Sequence, residues 1–373
     1  MGKVEVGFAK GKSIYVGIDV HKRDWAVTVL CQGEEVYHAV VGSDPGALIK
    51  VLKRFEASEV HTVYEAGPTG YWLHDALVEA GFDSMVTPPS LVPQVGGRVK
   101  TDRRDSRKLT SMLAGGFLRR VHVLTPEERA HRQLLRTRNQ IEHHRRQVQN
   151  QIKSMLLFHG KRLPEGQKER WSEGHVEWIE KIEWEYPVLK TAMESMIKTY
   201  RELTEEYKHL TSEIEQLGLT EKYRERVGLL TQIPGIGTFT AMAILVEIQN
   251  IERFRRGEQF ASYLGLTPSQ HSSGKKIRMG HITRCGNYEV RTRLVESSWT
   301  LIRYDAQAKM TYERIKHQTG SGRKAITAIA RRLGLRVRRV LIDKEPYRLM
   351  AGGHLATGRD KRREVKRYLL KRV

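Results

Sequence analysis

The stretch that most constrains this chain is a short apolar run ending on a carboxylate, Ile14–Asp19. Its β-branched residues favour a buried strand, and Trp25–Leu30 alternates as a second strand would. An acid at the end of a buried strand is costly unless a cation meets it. We therefore predict a metal ion at Asp19. Three other acids could share that ion: Glu65, Asp102 and Asp105.

The charge of the chain indicates the kind of partner it has. Its 373 residues, enough for two or three domains, contain 65 Lys+Arg against 43 Asp+Glu, a net charge of +22. So large an excess indicates a polyanion such as nucleic acid. No apolar run approaches bilayer length and residues 1–12 contain no apolar signal core, so we expect no membrane partner. The only cysteines, Cys31 and Cys285, fit a reducing cytoplasm.

Strand and helix patterns alternate from residue 14 to about residue 123. Strands are predicted at 14–19, 25–30, 35–41, 60–65 and 82–87, and helices at 45–55, 71–80 and 101–119. Three antiparallel strands followed by β-α-β-α predict an α/β domain. By analogy, that order is typical of a ribonuclease H-like topology.

Residues 126 to about 226 have helical patterns throughout. From Leu189 to Leu217 apolar residues recur by fours and threes, which is typical of a coiled coil. A sparser seven-residue repeat precedes it, at Leu134, Ile141, Val148 and Met155. Two interpretations remain open: the seam joins two chains into a dimer, or the two helices form an antiparallel hairpin within one chain.

A new unit begins near residue 227. Leu229–Gly237 has the form of a helix-hairpin-helix, whose glycines would let backbone N–H groups face a phosphate. A plain helical hairpin is the alternative. A polar loop follows, and residues 280–287 lead into a basic amphipathic helix at 288–303. Residues 323–373 contain 17 Lys+Arg and 4 Asp+Glu, which favours a nucleic-acid-binding tail or helix.

The four acids form a set that suits divalent cations. Asp102 and Asp105 are three residues apart on a predicted helix, so they share one face and repel unless a cation joins them. With Asp19 and Glu65 at strand ends, the set could hold two Mg²⁺ ions with shared ligands. Two ions about 3.5–4 Å apart clamp the attacking and leaving oxygens of a phosphodiester.

Several segments resemble the insertion-sequence-one-ten family of bacterial transposases. The acidic motifs of that family are similar to Tyr15–Lys22, Glu65–Gly70 and Lys100–Asp105. Its C-terminal domain is similar to Ile233–Gly237, Gly265–Pro268, Ser273-Gly274 and the segment 280–287. The match spans roughly residues 14–305 in the right order.

The resemblance implies an architecture of four parts. These are a RuvC-like DEDD metal-binding domain (1–125), a helical coiled-coil dimerisation region (126–226), a C-terminal helical transposase domain with the catalytic serine (227–345) and a basic tail (346–373). It also implies RNA-guided DNA cleavage and strand exchange through two metal ions and a covalent phosphoserine. The implied partners are donor and target DNA, a structured bridge RNA and further copies of the chain, as a dimer or tetramer, in the bacterial cytoplasm at the nucleoid.

By its position in the motif, the nucleophile falls on Ser273. Ser272 directly precedes it, and further candidates are Ser269, Ser297 and Ser298. A serine hydroxyl needs activation, which the two ions would supply, and His271 could act as a base. Phosphates would meet basic side chains and glycine N–H groups at Lys100, Arg103, Arg104, Gly235, Gly237, Lys275, Lys276, Arg278 and Arg284.

Two other functions remain open. In the first, a metal-dependent, structure-specific endonuclease of the Holliday-junction-resolvase kind, water attacks and Ser273 only binds phosphate. The second is an RNA-binding scaffold without catalysis. The four ordered acids count against a scaffold, which has no need of them. A covalent protein–DNA adduct would separate the recombinase from the endonuclease.

Overall fold

The computed structural model describes residues 6–92, 102–163, 171–270 and 279–347. By internal contacts the chain divides into two compact units, Met1–Leu124 and Thr125–Val373. The first unit contains a five-stranded sheet and the second is almost entirely helical. The predicted class, α/β followed by α, is confirmed at this level.

The first unit is organised around a sheet with strand order β3-β2-β1-β4-β5. Its strands are β1 (Ser13–Val20), β2 (Asp24–Cys31), β3 (Glu34–Gly42), β4 (Glu59–Glu65) and β5 (Asp83–Thr87). Its helices are α1 (Val6–Ala9), α2 (Pro45–Lys53), α3 (Trp72–Glu79) and α4 (Asp102–Ala114), with a 3-10 turn at Pro89–Leu91. As predicted, the first three strands are antiparallel to one another, and β4 and β5 add in parallel to β1.

One predicted boundary in this unit is wrong. The helix expected to reach about residue 119 ends at Ala114. Gly116 follows with a φ of +71°, in the left-handed region, and the Phe117 N–H donates to the Met112 carbonyl oxygen at 3.0 Å. A glycine in this conformation closes the last helical turn. The periodic apolar pattern continues past this point and therefore overestimated the helix.

The second unit contains nine helices and two short strands among its described residues. The helices are α5 (Pro126–Phe158), α6 (Glu173–Glu180), α7 (Pro187–Leu217), α8 (Glu221–Leu230), α9 (Thr238–Ile248), α10 (Gly257–Tyr263), α11 (Tyr288–Tyr304), α12 (Ala306–Thr319) and α13 (Gly322–Asp343). The strands β6 (Pro268–Gln270) and β7 (Met279–Ile282) pair antiparallel. The core surrounds α9, which is buried on every side from Ala241 to Ile248.

The long helices α5 and α7 form an antiparallel hairpin within the chain. In the first half of α5, Arg138 donates to Tyr207 and, at 3.1 Å, to Thr211, both in the second half of α7. Near the end of α5, Ile152 shares a core cluster with Met193, near the start of α7. Of the two interpretations left open above, the structure therefore has the intramolecular one.

The seam of α5 differs from the predicted repeat. The predicted positions are only half-buried, namely Leu134, Ile141, Val148 and Met155. The buried positions are Leu135, Arg138, Ile152 and Leu156. The guanidinium of Arg138 lies 4.1 Å from the ring centroids of both Tyr207 and Phe239. An arginine whose charge rests on aromatic faces can be buried, and an apolar heptad search does not detect such a position.

A single substitution tests whether the apolar seam of α7 packs on α5 of the same chain or on a second chain. Leu210, on α7, is 8% exposed, and Leu210→Asp would place an unpaired carboxylate at this buried position. We expect the second unit to lose about 3–5 kcal/mol of unfolding free energy, the range of large core deletions. The measurement is thermal unfolding together with light scattering.

The control is the adjacent exposed residue, as His209→Asp. This variant adds the same carboxylate one position away and should melt like the parent chain. If Leu210→Asp kept the parent melting temperature but lost its partner chain, the seam would be intermolecular.

The basic C-terminal run begins as a core helix. One face of α13 is buried, from Ala325 to Leu341, and some of its arginines have internal partners. Arg336 donates to the Asp305 carboxylate at 2.9 Å, and Arg338 donates to the Phe254 carbonyl oxygen at 2.7 Å. Part of the local charge excess is therefore structural. The predicted tail lies outside the described residues from 348 onward.

None of the helices in the described part of the chain has the length and apolar character needed to span a bilayer.

Candidate active site

Strand register brings two of the predicted ligands to one edge of the sheet. β1 and β4 are parallel, with Ile18 opposite Tyr64, so Asp19 and Glu65 follow at the carboxyl ends of neighbouring strands. The Asp19 side chain is 23% exposed and its Oδ2 lies 3.2 Å from Nε2 of His21. Glu65 is exposed. Both carboxylates can therefore reach a solvent-borne ligand.

Helix α4 packs on β1 two residues before Asp19, and a glycine permits that approach. A Cβ on Gly17 would overlap the Ser106 carbonyl oxygen and the Thr110 hydroxyl, and would lie 2.6 Å from the Thr110 amide nitrogen. On β2, the hydroxyl of Thr28 lies 2.9 Å from that of Ser106, and Thr110 donates to the Thr28 carbonyl oxygen at 3.3 Å. The beginning of α4 is thus fixed against both strands.

Asp105 directly precedes Ser106 and is half-buried. The helix that packs on Gly17 therefore carries this third predicted ligand. Asp102 is the first residue of α4, and its side chain lies outside the described part of the structure. Among the side chains that the structure does describe, no group of three or more His, Cys, Asp or Glu residues is arranged to hold a metal ion. The four-acid site remains a prediction.

Basic residues on α4 have a partner in the sheet. Arg103 and Arg107 lie 3.3 and 2.8 Å from the carboxylate of Glu35. Burial lowers the pKa of the neighbouring His38, and the positive charge of Arg103 lowers it further. Neutral His38 bonds through Nδ1 to Thr28 Oγ1 at 3.0 Å, which supports the contact between Thr28 and α4.

The predicted serine loop lies outside the described residues. The paired strands β6 and β7 bring Gln270 opposite Met279, so the two flanks of segment 271–278 are held side by side. That segment contains Ser273, its neighbour Ser272, and His271, Lys275, Lys276 and Arg278. Lys100, in the first unit, is also outside the described part. Their roles stay predictions.

The alternative serines differ in their surroundings. Ser298 is fully buried and donates to the Leu294 carbonyl oxygen at 2.6 Å, and Ser297 is 4% exposed. Both are buried residues of α11. Ser269, on β6, is half-buried. Its hydroxyl packs closely against Gly280, where an added Cβ would overlap it.

The predicted glycine turn between α8 and α9 packs against α11. Gly235 has a φ of +90°, and a Cβ there would lie 2.5 Å from the Ser297 carbonyl oxygen. Packing alone therefore requires this glycine. Gly237 is the N-cap of α9, with open space around its Cα. Arg284 is exposed and has a φ of +55°. Phosphate binding by these three residues stays a prediction.

Comparison with known proteins decides the family. A DEDD-type IS110 transposase family model matches residues 16–160, and the Transposase IS116/IS110/IS902 family model matches residues 227–313. The chain is 31% identical to y4qE of Sinorhizobium fredii, which is named as a transposase. The aligned part covers 78% of this chain and 72% of y4qE. The chain belongs to the IS110 family of transposases.

Other relatives are similar over much of the chain. The transposase for insertion sequence element IS1533 of Leptospira borgpetersenii is 28% identical over 66% of this chain and 72% of its own. The pilin gene-inverting protein of Moraxella bovis is 25% identical over 86% and 92%. T. thermophilus RuvC, solved in complex with a Holliday junction substrate, covers 29% of this chain and 99% of its own at 13% identity. Its TM-score of 0.23 is too low to bear on the fold.

Family membership makes this IS110 transposase a DNA recombinase, and DNA is its substrate.

In the IS110 C-terminal segment, one asparagine has a partner that the sequence did not reveal. Asn287 donates to the carboxylate of Glu247 at 2.8 Å, and Arg136 donates to the same carboxylate at 3.0 Å. Glu247 is fully buried within α9, so its charge requires these partners. A single acid in an otherwise apolar helix offers no sequence pattern that predicts them.

Proposed function

We propose that this IS110 transposase cleaves and exchanges DNA strands through a divalent-metal site formed by Asp19, Glu65, Asp102 and Asp105 and a nucleophilic serine at Ser273. The observation that carries the proposal is the strand register: Asp19 and Glu65 follow the paired residues Ile18 and Tyr64 at one sheet edge. The contact of α4 with Gly17 supports placing the last two acids beside them.

The carboxylate set is suited to hard cations. Asp and Glu oxygens are the protein ligands that Mg²⁺ prefers, and four of them match two ions with shared ligands. Bound there, Mg²⁺ would stabilise the attacking and leaving oxygens of a phosphodiester. In the protein itself, His21 holds one oxygen of Asp19 at 3.2 Å, which fixes the orientation of that carboxylate.

The serine would exchange one phosphodiester for another. The Ser273 oxygen bonds to phosphorus, the bond to one bridging oxygen of the DNA breaks, and the serine proton is passed on as that oxygen leaves as a hydroxyl. The hydroxyl of a second strand reverses the step and releases the serine. Because the number of phosphodiester bonds is unchanged, rejoining needs no nucleotide hydrolysis. The sequence has no GxxxxGK[ST] motif to supply it.

A structured RNA and further copies of the chain complete the proposal. The net charge of +22 and the basic residues beyond position 347 support a polyanionic partner besides DNA. The family resemblance assigns that role to a bridge RNA that pairs with donor and target. It also supports a dimer or tetramer, although the α5–α7 seam lies within one chain. A dimer or tetramer would therefore have to form through a surface other than the α5–α7 seam.

The decisive experiment is the search for a covalent protein–DNA adduct. Ser273→Ala should bind nucleic acid like the parent chain but form no adduct that survives denaturing electrophoresis, because the attacking oxygen is missing. The matched control is Ser272→Ala, one residue earlier in the same loop, which should keep the adduct.

Each other outcome has a definite meaning. If the two variants behaved the other way round, Ser272 would be the nucleophile. If both retained the adduct, the serine assignment would be wrong. Strand cleavage by the parent chain with no adduct would indicate attack by water, as in a structure-specific endonuclease.

A further inference from the structure

An open cavity of about 520 Å³ lies in the second unit, between α5 and the beginning of α11. One wall is a single face of α5 that includes Asn139, Gln140, His143 and His144, and the other is Gly286–Glu289. The volume falls in the range of small-molecule sites, about 300–1,000 Å³. Neither wall belongs to the predicted acidic site or to the predicted serine loop.

The lining favours a neutral, polar, planar group over a free phosphate. Glu289 adds a carboxylate to the cavity and accepts from the Asn139 amide at 2.7 Å. The one arginine of the lining, Arg136, is paired with the buried Glu247 at 3.0 Å. An anion would meet Glu289 without an uncommitted arginine to balance it. A nucleobase instead presents donors and acceptors that the exposed side chains of Gln140, His143 and His144 can bind.

An aromatic ring at the cavity supplies a surface for such a base. Tyr288 is the first residue of α11, lines the cavity and is 65% exposed. The guanidinium of Arg291 lies 5.7 Å from its ring centroid. Exposed aromatic rings beside cations are stacking platforms for unpaired bases, and they tolerate any sequence because every base has a π-face.

One wall of the cavity lies close, along the chain, to the segment predicted to hold the nucleophile. Gly286 lies four residues after β7, the strand that pairs with β6 across the ends of segment 271–278. Backbone bonds hold this connection in place: the Thr283 N–H donates to the Thr267 carbonyl oxygen at 2.9 Å, and the Asn287 N–H donates to the Tyr263 carbonyl oxygen at 2.8 Å. A base inside a duplex cannot enter a cavity of this kind, so the nucleotide must be unpaired.

We propose that this cavity, the Tyr288 cavity, binds one unpaired base of the reacting DNA strand, stacked on Tyr288 and hydrogen-bonded by the polar face of α5. The proposal rests on the proposed function in taking the bound strand to be the one that reacts at segment 271–278. It adds a site that binds no phosphate and holds a nucleotide out of the duplex during exchange.

Photo-cross-linking tests the site directly. The full chain is mixed, in EDTA to prevent cleavage, with a single-stranded DNA that carries 5-iodopyrimidines, then irradiated and mapped by peptide mass spectrometry. We expect the adduct on the peptide that contains Tyr288. Tyr288→Ala should lose it at least tenfold, and Tyr288→Phe should keep it because the ring remains.

A matched control lies at the other end of the same helix. Tyr304 is 63% exposed, and Tyr304→Ala should cross-link like the parent chain. In binding assays Tyr288→Ala should weaken single-strand affinity about tenfold. Affinity for blunt duplex and the slope of affinity with salt should be unchanged, since no phosphate contact is removed.

Three results would overturn the proposal. The first is an unchanged cross-link in Tyr288→Ala. The second is a Tyr288→Ala variant that loses the cross-link to an RNA strand of the same sequence but keeps the cross-link to DNA, which would assign the cavity to RNA. The third is competition by inorganic phosphate, which would make it an anion site. The serine adduct is scored separately, so a missing cross-link with an intact adduct rejects this inference alone.

Discussion

Asp105→Asn should abolish DNA strand cleavage while leaving the fold and nucleic-acid binding intact. The amide has the shape of the carboxylate but lacks its charge, so it cannot serve as an anionic ligand. Loss of one ligand from a two-metal site should reduce the cleavage rate by about 10³-fold or more, roughly 4 kcal/mol of transition-state stabilisation. The measurements are cleavage of a donor DNA, circular dichroism and a binding isotherm.

Asp44→Asn is the matched control. Asp44 is an exposed acid in the same unit and accepts from the Gly46 N–H at 2.8 Å as the N-cap of α2. Asparagine caps helices equally well, so this variant should cleave normally. EDTA should reproduce the Asp105→Asn defect in the parent chain. Undiminished strand exchange in EDTA would exclude the metal site altogether.

Gly17→Ala should damage both the stability of the first unit and its activity. The added methyl group would overlap a backbone carbonyl of α4 and the hydroxyl of Thr110. Helix backbone cannot move aside as a flexible side chain can, so α4 must shift away from β1. We expect a loss of about 3 kcal/mol of unfolding free energy, at the upper end of overpacking effects.

The cleavage rate should fall by more than the loss of folded protein explains, because α4 carries Asp105. A displacement of about 1 Å can reduce a rate about 10²-fold. Cleavage should therefore be impaired even at temperatures where Gly17→Ala is fully folded. The control is Gly42→Ala on β3, where a Cβ meets nothing within 4 Å. A Gly17→Ala chain that melts and cleaves like Gly42→Ala would show that α4 does not need this close approach.

Local patterns predicted the elements of the first unit well, whereas the short strands β6 and β7 of the second unit were not predicted. The β-branched run that ends at Asp19 lies in strand β1, and each of the other four predicted strands of this unit is present. They are detectable because buried strands are short runs of apolar and β-branched residues bounded by turn signals, as in β2, which is buried from Trp25 to Cys31. The acidic motifs were visible for the same reason: each lies within a few consecutive residues.

The family also followed from the sequence alone. The acidic segments and the glycine-containing segments of the C-terminal half occur in order, and the two matching family models cover residues 16–160 and 227–313. Motifs of this kind are short and contiguous, so they need no knowledge of tertiary contacts. The grouping of the acids around a metal, by contrast, remains a proposal, because it joins residues from three separate elements.

The sequence by itself therefore determined the positions of the strands in the first unit, the helical regions, the acidic motifs and the family. Only the tertiary structure decided what those elements pack against. A heptad seam has the same pattern whether its partner is another chain or a second helix of the same chain, and here α7 packs on α5. Gly17, Arg138 and Glu247 likewise depend on contacts with residues distant in the chain. Periodicity records how deeply a residue is buried, and it contains no information about which residue covers it.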